Sequence, residues 1–108
     1  MANWKALDDI KLNNPEWVIK PNTYEIDTEA GNIRNKETGN LIQVSEDRYK
    51  AYVTLNIKHA ETGEIKRQSF TYKWIVWNAA SRTKTKSAAD IKHIDGNKFN
   101  NSPLNLYI

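Results

Sequence analysis

The chain of 108 residues and 12.5 kDa, with 39% hydrophobic and 27% charged residues, can bury one modest core and not two. It has no cysteine, which excludes disulfides, thiolate metal sites and cysteine nucleophiles, and no apolar run approaches the roughly 18 residues that span a bilayer. Sixteen Lys and Arg against thirteen Asp and Glu give a net charge of +3 and a pI of about 9.1, and the excess is lopsided, since residues 1–57 are net acidic and residues 58–108 carry the whole surplus of positive charge.

Trp4, Leu7, Ile10 and Leu12 have a rough helical spacing that stops at Asn13-Asn14-Pro15, so a short, marginal helix or a packed arm is predicted near the N-terminus. The segment also lacks the cationic and apolar regions of a secretion signal, and a reducing cytoplasm is the expected compartment. Tyr24-Glu25-Ile26-Asp27 alternates, Ala30-Gly31-Asn32 is turn-forming, and Ile33 opens a second short strand that breaks at Glu37-Thr38-Gly39-Asn40. From Tyr49 to Lys58, Tyr49, Ala51, Val53, Leu55 and Ile57 alternate with Lys50, Tyr52, Thr54, Asn56 and Lys58, which predicts a strand with one apolar and one polar face. Glu61-Thr62-Gly63-Glu64 turns the chain and Ile65–Thr71 returns as its antiparallel partner.

The period then changes. Trp74, Ile75, Trp77, Ala79 and Ala80 predict a helix over residues 72–81, with Trp74 and Trp77 buried on Tyr49, Val53, Leu55 and Ile57. Residues 81–87 contain Arg82, Lys84 and Lys86 and nothing apolar, and read as a solvated loop. Ile91 and Ile94 flank His93 in a short strand, followed by the turn-forming Asp95-Gly96-Asn97. His59 reads as a surface residue beside a turn, Tyr52 as a candidate for a recognition surface, and Trp4 as a candidate anchor for a partner. The expected architecture is a single α+β domain: an antiparallel hairpin sheet with a short helix over residues 1–81, and a distinct C-terminal element over 82–108.

That element carries the chemistry. His93, Asp95, Gly96, Asn97, Asn100, Asn101, Asn105 and Leu106 stand at a spacing that resembles the HNH endonucleases of phage genomes and mobile introns. Glu16-Trp17, Tyr24-Glu25-Ile26, Gly31-Asn32-Ile33-Arg34 and Trp74-Ile75-Val76 resemble the small β-rich module that precedes the motif in such homing endonucleases. The resemblance implies a ββα-metal element in which His93 is the general base that activates water and Asn105 is the residue that orients it. Asp95, Gly96, Asn97, Asn100 and Asn101 would build the tight loop between the strands.

The sequence departs from the family at two places. The residue before the histidine is normally an Asp or Asn that ligates a divalent cation, and here it is Lys92, whose ammonium cannot. The second metal ligand comes from a helix after the Asn-Leu pair, and the sequence stops at Ile108. The element is therefore read as a truncated, catalytically degenerate form with no cofactor, magnesium being the ion only if catalysis persisted. Three functions follow: DNA binding through Arg82, Lys84, Lys86, Lys92, Lys98 and the polar face of the main hairpin; a phage-type protein that binds and inhibits a host protein of the transcription or replication machinery; or a nicking endonuclease whose metal is held by substitutes such as Asp95 or Asp90, or by a second chain.

Overall fold

A computed structural model of the chain describes residues 3–80 and 87–108. In chain order these hold β1 (Trp4–Ala6), β2 (Trp17–Ile19), β3 (Tyr24–Asp27), β4 (Ile33–Asn35), β5 (Val44–Glu46), β6 (Ala51–His59), β7 (Ile65–Thr71), α1 (Tyr72–Ala80), β8 (Lys92–His93) and β9 (Leu106–Tyr107). The architecture is α+β, with antiparallel pairing in all three sheets. No helix among the described residues is long and apolar enough to cross a membrane.

Strand β6 organises the rest. Its period-two pattern buries Ala51, Val53, Leu55 and Ile57 and turns Tyr52, Thr54, Asn56 and Lys58 outward. One whole edge pairs with β7, from Tyr52 opposite Thr71 to Lys58 opposite Ile65. The other edge is shared: β2 takes Ile57–His59 and β5 takes Ala51–Val53. In the gap between them the Lys20 amide donates to the Asn56 carbonyl at 3.0 Å, and the Asn56 amide donates to the Tyr24 hydroxyl at 2.8 Å, so the central strand keeps its backbone bonds without a continuous neighbour.

The strand starts later than its pattern suggested. Asp47 Oδ1 accepts the amides of Tyr49 and Lys50, each at 2.8 Å, and this turn takes Tyr49 out of the strand and leaves it 75% exposed. Trp74 and Trp77 therefore do not pack on Tyr49. Trp74 is buried and stacks on Phe70 with centroids 6.2 Å apart, while Trp77 is half-buried at the margin of the core. Both indole N–H groups are enclosed without a hydrogen-bond partner.

The N-terminal helix is also absent. Trp4–Ala6 pairs antiparallel with Glu25–Asp27 in the β1-β3-β4 sheet, and only Leu7–Asp9 turns, as a single 3-10 turn. The threefold spacing of Leu7 and Ile10 buries both across that turn. Without a side-chain cap, and with Asn13-Asn14-Pro15 close behind, a helix here could not repay its nucleation, whereas pairing with β3 supplies backbone partners at once. Trp4 lies under the Arg34 guanidinium, 3.8 Å from its ring centre, and Arg34 in turn holds Glu25 at 3.0 Å.

Helix α1 follows β7 without a loop and buries Tyr72, Trp74, Ile75, Val76, Asn78 and Ala79, so it is enclosed on most of its circumference. The Lys5 ammonium donates to the Ala79 carbonyl at 3.1 Å, placing a cation at the negative end of the helix. Lys73 reaches the Ile91 carbonyl at 2.7 Å, and Ile91 and Leu106 join the same hydrophobic cluster as β6 and α1. The C-terminal element is thus seated on the core.

Candidate functional site

His93 lies on β8 opposite Leu106 of β9, and Ile94, pointing outward with Lys92 by the strand's alternation, is 67% exposed. The histidine Nε2 is 2.7 Å from Asn101 Oδ1. Asn101 is buried and its amide nitrogen is committed to the Lys98 carbonyl at 2.9 Å, so its oxygen is the atom turned to the ring. Nε2 therefore carries the proton in the neutral ring, and Nδ1 keeps the lone pair with which a general base would work. The orienting residue is Asn101.

Asn105 does something else. Its amide nitrogen donates to Asp95 Oδ1 at 2.9 Å and to the Asn100 carbonyl at 2.8 Å, and its oxygen accepts the Asp95 amide at 3.2 Å. The expectation that Asn105 orients His93 fails for a geometric reason: Leu106 is the residue opposite His93, and the residue before it belongs to a 3-10 turn whose side chain serves the Asp95 loop. An Asn-rich segment offers several amides at plausible spacing, and only the strand register selects among them.

Asp95 is the centre of that loop. Its carboxylate also accepts the Asn97 amide at 2.8 Å and the Asn100 side chain at 2.8 Å. These donors favour the charged form, the Asn97 backbone N–H most, then Asn100 and Asn105, and hold its pKa down at about 2. With both oxygens engaged in closing a turn, Asp95 is poorly placed to substitute as a metal ligand. Among the described residues no group of three or more His, Asp or Glu side chains is placed to hold a metal ion.

The cations assigned from sequence separate into three groups. Arg82, Lys84 and Lys86 lie outside the described residues. Lys92 is exposed on β8. Lys98 is tied inward: its ammonium donates to the Asp47 carbonyl at 2.6 Å and pairs with Glu46 at 3.0 Å, stapling the motif loop to the β5–β6 turn. An ammonium with two internal partners is a structural clamp, not an open phosphate contact. Tyr52 is similarly spent, since its hydroxyl donates to Asp47 Oδ2 at 2.8 Å. His59 is half-buried, edge-on to Trp17 at 5.0 Å, and its Nδ1 accepts the amides of Glu61 and Thr62.

The outer face of the main sheet forms a polar groove of about 500 Å³. Asn35, Gln43, Ser45, Thr54, Asn56 and Arg67 line it, and Asn56 stands directly opposite Arg67 in the β6–β7 register. Four of the six are Asn, Gln or Arg, whose side chains present paired hydrogen-bonding groups. The alternation of β6 pointed to Asn56; Arg67, Asn35 and Gln43 join it only through the fold.

No known protein family, curated protein or solved structure matches the chain.

Proposed function

We propose that the chain is a catalytically degenerate, HNH-like DNA-binding protein that holds duplex DNA without cutting it. The observation that most supports this is the Asn56–Arg67 pair on the outer face of the four-stranded sheet built around β6. Side chains of these types read base edges in the major groove, where Arg matches guanine O6 and N7 and Asn or Gln matches adenine N6 and N7. Lys58 on the same face, Lys92, and the Arg82, Lys84 and Lys86 segment supply charge for phosphates, in the half of the chain that holds its positive surplus. His93 keeps an oriented base with no acidic ligand in the preceding position, which is a scaffold that has lost its electrophile.

Fluorescence anisotropy with a labelled duplex at two salt concentrations, run beside a supercoiled-plasmid assay with Mg²⁺ and Mn²⁺, tests the reading. Duplex binding is expected to weaken steeply with salt. Replacing Arg82, Lys84 and Lys86 with Ser should lower the slope of log K against log salt by roughly one for each lost contact. No nicking is expected; nicking that disappears in His93→Ala would instead establish an active nuclease, and no binding at low salt would reject the DNA reading.

One observation favours a protein partner as the second reading. Ile94, Phe99, Leu104 and Ile108 are all more than half exposed on the C-terminal element, with Leu104 at 88%. A host-protein inhibitor would use that surface, and its binding would be lost in Leu104→Ser and indifferent to nuclease treatment.

A further inference from the structure

Strand β7 is paired with β6 along one edge and has no strand partner on the other among the described residues. Residues 65–69 are exposed, and every second backbone N–H and C=O in an antiparallel edge strand faces away from its neighbour, unpaired. On the inner side of this edge lies a half-open groove of about 350 Å³, walled by Leu12, Trp17, Gln68, Phe70 and Trp74. The Phe70–Trp74 stack forms one end. At the other, the Lys66 ammonium sits 4.2 Å above the centre of the Trp17 ring.

We propose that the β7 edge and this groove bind an extended acidic peptide from a partner protein, added as a further strand. The register carries the assignment. Lys66, Gln68 and Phe70 share the inner face with Val53, Leu55 and Ile57, while Arg67 and Ser69 share the outer face with Asn56 and Thr54. A strand laid beside β7 puts alternate side chains on those two faces. Its inner side chains enter a groove of mixed lining, in which Trp17, Phe70 and Trp74 give apolar residues a surface to pack on and Asn13, Asn14 and Gln68 supply the polar margin. Its outer ones flank Arg67, and its inner end meets Lys66. Neither cation lies within ion-pair distance of a carboxylate among the described residues. The occupant that matches is therefore a segment alternating acidic with apolar residues. A second copy of β7 does not match, because residues 65–71 contain no acidic side chain to answer Lys66 and Arg67.

The probe is a short fluorescein-labelled peptide in which Glu alternates with Val around a central Phe, titrated into the full ¹⁵N-labelled chain. Binding should shift the amides of residues 65–71 and the indole N–H resonances of Trp17 and Trp74 most. Lys66→Glu should weaken it about tenfold while the chain stays folded, with melting lowered only by the loss of the contact on Trp17. The same peptide with Lys in place of Glu should not bind. Duplex binding measured on the Lys66→Glu sample should persist, because Lys66 lies on the inner face, so loss of peptide binding and loss of DNA binding are separable. Equal binding of the Lys peptide, indifference to Lys66→Glu, shifts confined to other residues, or concentration-dependent pairing of two copies through residues 65–71 would each overturn the proposal.

Discussion

Gly31 approaches the backbone of Asn101 so closely that a Cβ at position 31 would lie 2.1 Å from the Asn101 carbonyl oxygen. Gly31 also has φ +83°, and its own carbonyl accepts the Tyr72 hydroxyl at 2.7 Å. The β3–β4 turn, the start of α1 and the loop that orients His93 therefore meet at one glycine.

Gly31→Ala is expected to cost about 3–4 kcal/mol, combining left-handed strain with a clash against backbone that no rotamer can relieve. Gly39 has a similar φ of +75° but opens onto free space, so Gly39→Ala should cost only about 1–2 kcal/mol. Thermal melting of both variants checks the contrast. The Gly31 variant should also move the His93 ring resonances and the Gly39 variant should not.

Asn101→Ala removes the acceptor at His93 Nε2, and the neutral ring should change from one tautomer to a mixture, read from its ¹⁵N shifts, with a stability loss of about 1–2 kcal/mol. Asn105→Ala should loosen the Asp95 turn and leave the tautomer as it was. The reverse pattern would return the orienting role to Asn105.

The pH dependence of the loop follows from Asp95. Its folded pKa of about 2 lies below the unfolded value near 3.8, so the support it gives the fold is complete above pH 3.8 and is lost as pH falls through about 2. Amide resonances of Asn97 and the side-chain amide of Asn100 should report that midpoint, and Asp95→Asn should abolish it. Tyr72 behaves oppositely: burial pushes its pKa up to about 12, so its contribution is present below pH 10 and fades as pH rises through about 12.

Trp74→Ala should cost about 3–5 kcal/mol and the half-buried Trp77→Ala about half as much, whereas Tyr49→Ala should fall within roughly 0.5 kcal/mol. Equal losses at Trp77 and Tyr49 would mean that the apolar face of β6 extends further than Ala51.

What was legible in the sequence had a periodic physical cause. The alternation from Ala51 to Ile57 and the Glu61–Glu64 turn specified the β6–β7 hairpin, and the aromatic cluster after Tyr72 specified α1. The N-terminal segment was not legible, because β1 is three residues long and exists only by pairing with β3. Val44–Glu46 is exposed throughout and carries no burial pattern to read. In the candidate site, the loop residues around Asp95 could be read from local turn chemistry, but the choice of Asn101 over Asn105 and the inward role of Lys98 depend on contacts with distant residues.

The ties that seat the C-terminal element all reach backward along the chain: Asn101 to Gly31, Ser102 to the Glu29 carbonyl at 3.0 Å, Lys98 to Asp47, and Ile91 to Lys73. Synthesis proceeds from the N-terminus, so the receiving surfaces exist before the element that fills them leaves the ribosome. The segment bearing His93 docks on residues that are made before it. Because long-range ties and two-residue strands hold it, its amides should exchange with solvent well before those of β6. An unfinished chain ending before Ile91 would present the hairpin face without its C-terminal cover.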